Sequence, residues 1–131
     1  MKILFIFFLT LILLTNCSKE NTPDTIEGSF ITNTLFDFSC AVIPNKQYPK
    51  LFVVHSKQRQ TFDVTFTQYF PTTSSYLFKN VEAQYLAKTY HNPDTGIFLN
   101  FGYDSIFEKK MLRAHLNNGN QEIFFTGEKE K

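Results

Sequence analysis

Along residues 61–70 apolar and polar side chains alternate with a period of two. Phe62, Val64, Phe66 and Phe70 share one parity, broken only by Gln68, while Thr61, Asp63, Thr65, Thr67 and Tyr69 share the other. That period belongs to a β-strand with one face on a core and one in water. Pro71-Thr72-Thr73-Ser74-Ser75 ends the run with turn-forming residues. Shorter stretches repeat the pattern. Leu51 to His55 is an apolar run between Pro49 and Ser56-Lys57-Gln58, and Ser29 to Ile43 reads as one long strand or two divided by a bend near Asn33. Tyr76 to Tyr90 reads as a long strand with Leu77, Val81, Ala83, Tyr85 and Ala87 on one side. His91-Asn92-Pro93-Asp94-Thr95-Gly96 is the strongest turn signal, because Pro presets the torsion, Asn and Asp bond locally, and Gly takes the left-handed position. Ile97, Leu99, Phe101 and Tyr103 then alternate again.

Residues 105–117 carry two readings. Ser105-x-x-Glu108 is a capping-box pattern followed by good helix formers, with Gly119 as a stop. The apolar residues nevertheless scatter around a helical wheel. As a strand, Leu112, Ala114 and Leu116 face one way, and Asn118-Gly119 makes a tight turn into Glu122–Thr126. We favour the strand. The sum is an all-β domain over residues 26–131: a small antiparallel β-barrel or β-sandwich of about six to eight strands.

The first 16 residues are different material. Ile3 to Leu14 is apolar except for Thr10, behind a single charge at Lys2. As a helix these residues span about 18 Å, short of a ~30 Å hydrocarbon core, so a cleaved signal peptide over residues 1–16 is expected rather than a membrane span. Leu14-Thr15-Asn16-Cys17 follows. It resembles the lipobox of bacterial lipoproteins, departing from it at Asn16, where Gly, Ala or Ser is usual. The resemblance implies that Cys17 is acylated and becomes the mature N-terminus. It also implies a cell-envelope location, with the outer membrane as the default and either its periplasmic or its outer surface as the working side. Residues 17–25 then form the lipidated N-terminus and a polar tether containing Pro23. Further on, Ile26-Glu27-Gly28-Ser29-Phe30 is similar to the opening Gly-x-aromatic strand of lipocalin-like domains, with Phe30 where those have Trp.

Composition narrows function by exclusion. The chain has 131 residues, 16 Phe, 6 Tyr, no Trp and two cysteines. Beyond residue 16 its 12 basic and 12 acidic residues cancel, which excludes nucleic-acid binding through bulk charge. With Cys17 acylated, Cys40 has no disulfide partner, and between Phe38 and Val42 it reads as a small buried hydrophobe. His55, His91 and His115 are not spaced as a metal site, and neither a phosphate loop nor a nucleophile elbow is present, so no metal, cofactor or catalytic residue is expected. One charge feature stands out: no acid lies between Asp37 and Asp63, while Lys46, Lys50, Lys57 and Arg59 do. These four are the candidate contact with lipid phosphates or another anionic surface. Because a small aromatic-rich β domain mostly fills its own interior, the expected role is a non-catalytic interaction or assembly module with an envelope protein as partner. The alternative is a lipocalin-like carrier of a small apolar ligand.

Overall fold

The computed structural model describes residues 25–37, 43–87 and 89–131. Every regular element among them is a strand: β1 (Gly28–Ile31), β2 (Lys50–Ser56), β3 (Thr61–Gln68), β4 (Ser74–Glu82), β5 (Gln84–Leu86), β6 (Thr89–Asn92), β7 (Ile97–Asp104), β8 (Lys109–Asn117) and β9 (Glu122–Lys129). They form one sheet in the order β4-β3-β2-β1-β9-β8-β7-β6-β5. Each strand therefore pairs with its sequence neighbours, except that β4 and β5 end the order at opposite sides, and the first strand pairs with the last. All pairings are antiparallel. The sheet curls into a nearly closed barrel.

The closure rests on a bent strand. Eight antiparallel steps separate β4 from β5 across the sheet, so the two run in the same direction. Only Ala83 lies between them, and β4 pairs with β3 while β5 pairs with β6. Residues 74–86 thus pass from one side of the closure to the other. Asn92 Nδ2 donates to the Glu82 carbonyl across the join (3.1 Å).

Alternation dictates which side chains enter. Phe62, Val64 and Phe66 of β3 are buried, as are Leu51 and Val53 of β2, Leu99 of β7, and Leu112, Ala114 and Leu116 of β8. Rings meet across the interior: Phe62 lies 4.7 Å from Tyr90, Phe30 5.6 Å from Phe101, and Phe66 6.2 Å from Phe125. Gly127 also faces in, and the Phe125 ring lies where its Cβ would stand, 2.5 Å away, with the Ile31 carbonyl at 2.8 Å.

The structure corrects several sequence expectations. Among the described residues there are nine strands rather than six to eight, because the run 76–90 contains most of β4, all of β5 and the start of β6. The parity within it is also shifted. Asn80 adopts a φ of 51°, and Phe62 pairs with Val81 while Val64 pairs with Phe78, so β4 holds one extra residue. This β-bulge turns Phe78 inward and leaves Leu77 53% exposed. Asp63 Oδ1 accepts the Asn80 N–H (2.8 Å) and holds the bulge. Past it, only Val81 and Ala83 keep their inward places, and Tyr85 is exposed.

Other limits move as well. The first strand ends at Ile31, where a turn through Asn33 follows, with Asn33 accepting the Phe36 and Asp37 N–H groups. β3 stops at Gln68, leaving Phe70 exposed. The β8–β9 connection is residues 118–121 rather than two residues, because Asn118 bonds the Gln121 and Asn120 N–H groups. The strand reading of 109–117 holds, and residues 105–108 are a turn. Residues 1–24, with Cys17, and residues 38–42, with Cys40, lie outside the described residues.

Two substitutions test this packing. Phe62→Ala removes a fully buried ring and should cost about 3–5 kcal/mol in urea melts. Thr65→Ala, on the outer face between Phe52 and Leu77, should cost about 0.5 kcal/mol or less. Equal midpoints would mean that the face assignment is wrong. Gly127→Ala should destabilise by about 1–3 kcal/mol, because the Phe125 ring must leave its place.

Candidate functional site

Antiparallel order sorts the connections onto two ends. Thr25, the turns 57–60 and 105–108, and residues 130–131 lie at one end, which we call the entry end. The β1–β2 connection and the turns 69–73, 93–96 and 118–121 leave from the other, the far end.

β1 is only four residues long, so no strand separates β2 from β9 beyond Ile31. Thr32 holds the chain there: its N–H donates to the Pro49 carbonyl (3.1 Å) and its hydroxyl to the Thr126 carbonyl (2.6 Å). The segment then folds over the outside of the β8–β9 pair. Phe36 meets Phe107 edge-on at 5.0 Å, and Met111, which faces outward by register, is 3% exposed. Below the end of β1 this leaves an open cavity of about 190 Å³. Phe36, Phe66, Phe70, Phe124 and Phe125 line it, with Thr32 at its edge. Phe124 is 66% exposed and Phe70 42%, and Leu35 beside Phe36 is exposed too. Convergent aromatic side chains that remain wet are what a docking surface offers to an apolar group.

Phe124 is positioned from below. Its ring stacks on His115 at 4.4 Å and 5°, and Phe98 meets the other side of that imidazole at 5.8 Å. His115 Nδ1 bonds the Gly96 carbonyl (2.7 Å) and Nε2 bonds Glu122 Oε1 (2.8 Å). The histidine is therefore fully engaged in joining the β6–β7 turn to β9. His55 is engaged differently. It faces inward from β2, stacks on Phe62 at 4.4 Å and approaches Tyr90 at 5.6 Å. Its Nε2 is buried without a hydrogen-bond partner. His91 sits half-buried on β6, paired with Gln84 and Phe98. Among the described residues no three metal-ligating side chains converge.

The four basic candidates do not form one rim. Lys46 is tied to Asp37 in a largely buried ion pair. Lys50 opens β2 and donates to Glu130 (2.7 Å), which also accepts the Ser29 hydroxyl. The hydrogen bond with Glu130 raises the Lys50 pKa, and the bonds from Lys50 and then Ser29 lower that of Glu130. Lys57 and Arg59 are exposed in the 57–60 turn, at the other end of β2. The aromatic cavity was missed by sequence reasoning, although Phe124 gave a signal. It is an aromatic at an outward parity between Ile123 and Phe125.

Comparison with protein-family models, with curated proteins and with solved structures finds no match for this chain.

Burial lowers the His55 pKa from its ordinary 6.5, with Lys57 adding to the effect and Glu27 opposing it. The unfolded ring thus takes a proton more readily than the folded one. The stability linked to it is fully present above pH 6.5 and is lost as the pH falls through the lowered folded value. Urea midpoints should drop across that window, and His55→Phe should flatten the drop. An unchanged slope in the variant would show that His55 does not cause it.

Proposed function

We propose that this chain is a lipid-anchored, non-catalytic interaction module of the cell envelope that docks an envelope protein through its aromatic cavity. The reading begins with Cys17, whose setting resembles a lipobox, and places the protein at the outer membrane. The observation that carries the docking role is the contrast between interior and surface. Phe30, Leu51, Phe62, Val64, Leu99, Leu112 and Leu116 fill the barrel, while five phenylalanines gather around an opening at its side. A filled interior supports an interaction role over a carrier role. An opening of about 190 Å³ suits one large apolar side chain, whereas ligand pockets usually run to ~300 Å³ or more. In this reading Phe124 and Phe70 are the anchors, and the hydrogen-bonded His115 keeps Phe124 from collapsing onto the sheet.

A second reading keeps one supporting observation. The strand order, an up-and-down meander closed by its first and last strands, is that of barrels that carry apolar ligands. Such a ligand would have to be small or displace the aromatic rings.

Membrane fractions and detergent pull-downs test the proposal. Cys17→Ser should release the protein from membranes under high-salt washing, and retention there would remove the anchor. Phe124→Glu should leave the stability from urea melts within about 0.5 kcal/mol of the parent, as for other exposed positions, while abolishing partner co-purification. Undiminished co-purification would remove the cavity from the docking site. Loss of a bound lipid instead of a protein would favour the carrier.

A further inference from the structure

We infer that the aromatic cavity is a cation site, and that the side chain it takes from a partner protein is a lysine, with its methylene stem along the rings and its ammonium against them. This rests on the docking reading above and narrows it: the inserted group is apolar in its stem and charged at its head.

The barrel already holds one ammonium in this way. Lys129 Nζ lies 5.9 Å from the centre of the Phe30 ring and 5.2 Å from that of Phe101, and it donates to the Thr25 carbonyl (2.7 Å). Those two rings meet edge to face, 5.6 Å apart at 74°. Two phenylalanines near a right angle and one carbonyl are thus enough in this fold to take an ammonium out of water. At the cavity Phe66 and Phe125 repeat the pair, 6.2 Å apart at 75°. Both line the opening and both are buried, so they form its inner wall. Phe124 and Phe70, which are exposed, add ring surface at its mouth. The face of an aromatic ring is the negative part of its quadrupole and attracts a cation, more strongly where water is thinned.

The polar groups point the same way. Thr32 spends both of its donors, the N–H on the Pro49 carbonyl and the hydroxyl on the Thr126 carbonyl. A carbonyl oxygen has two lone pairs, so each of these keeps a second one. Pro49 and Thr126 both line the cavity. Among the described residues lining it, Asp37 is the one charged side chain. Its partner Lys46 is not a lining residue, so the acid of that ion pair is the member that borders the opening. A guest therefore meets ring faces, carbonyl oxygens and a carboxylate. An anion would find no base there. A wholly apolar side chain would match the rings but would cover the oxygens without bonding them, which costs free energy. Lysine matches both, because its stem buries along apolar surface while its head keeps three donors. A volume of about 190 Å³ admits one such side chain.

Butylammonium carries the stem and head of lysine, and butanol is its neutral counterpart. Each is titrated into the full chain in non-ionic detergent while the phenylalanine ring signals are followed by NMR. Butylammonium should shift the Phe124 and Phe70 signals saturably and bind about ten-fold more tightly than butanol. Phe124→Leu keeps apolar bulk and removes the ring face, so it should weaken butylammonium by about five-fold and leave butanol unchanged. Gln68 lines the same cavity. Gln68→Glu should tighten butylammonium by about three-fold and Gln68→Lys should weaken it by about as much, with butanol indifferent to both. Equal binding of the two probes, no shift at Phe124, or a butylammonium affinity unmoved by the charge placed at Gln68 would overturn the cation site and leave the docking reading standing. Partner co-purification that survives Phe124→Glu would overturn the docking reading and this inference with it.

Discussion

The fold depends on one short ladder between the ends of the chain. β1 and β9 share only the pairs Phe30–Lys129 and Ile31–Glu128. On one side of it stand β2, β3 and β4, and on the other β8, β7, β6 and β5. Without it there are two half-sheets, each with an uncovered apolar face. Two pairs alone are weak, and the surroundings reinforce them. The Glu130 N–H donates to the Ser29 carbonyl, its carboxylate gathers Ser29 and Lys50, and the Thr32 hydroxyl reaches Thr126. The Lys129 ammonium lies over the Phe30 and Phe101 rings at 5.9 and 5.2 Å. A lysine facing the interior at a barrel end is tolerated because aromatic faces and a carbonyl together replace its water.

Much of this was legible in the sequence, for physical reasons that also explain the failures. Period-two alternation survives wherever one face is buried against a regular partner, so β3, β7 and β8 could be read from Phe62, Leu99 and Leu112. It fails where the ladder is irregular. Nothing in Leu77-Phe78-Lys79-Asn80-Val81 announces that Asn80 takes a left-handed φ, and that one residue reverses the parity before it. The division at Ala83 depends on which strand lies alongside, a tertiary fact without a local signature. The basic candidates were grouped by their closeness in sequence, but a seven-residue strand separates Lys50 from Lys57 in space. The aromatic cavity depends on β1 stopping at Ile31, and the alternation of Ser29 to Ile43 reads equally well as a longer strand.

The barrel's interior and surface divide the work of its aromatic residues. Inside, rings contact one another across the strands and leave the core to packing. Outside, Phe124 and Phe70 border an opening that exists because one strand is shorter than its neighbours. The polar groups near it are committed: His115 to Gly96 and Glu122, Thr32 to Thr126, and Asp37 to Lys46. Beside these groups, Gln68 and the phenylalanines line the opening.

The bent strand carries a consequence for crowding. Where residues 74–81 pair with β3, their other edge borders a groove of about 350 Å³ rather than a neighbouring strand. Such an edge is a template on which a second molecule could extend the sheet. Lys79 places a charge in the middle of it, and the bulge at Asn80 breaks the even spacing of hydrogen-bonding groups that a foreign strand would need. The bulge beside the bend therefore makes this edge a poor seed for fibrous assembly, so that molecules can sit close together without stitching into a common sheet.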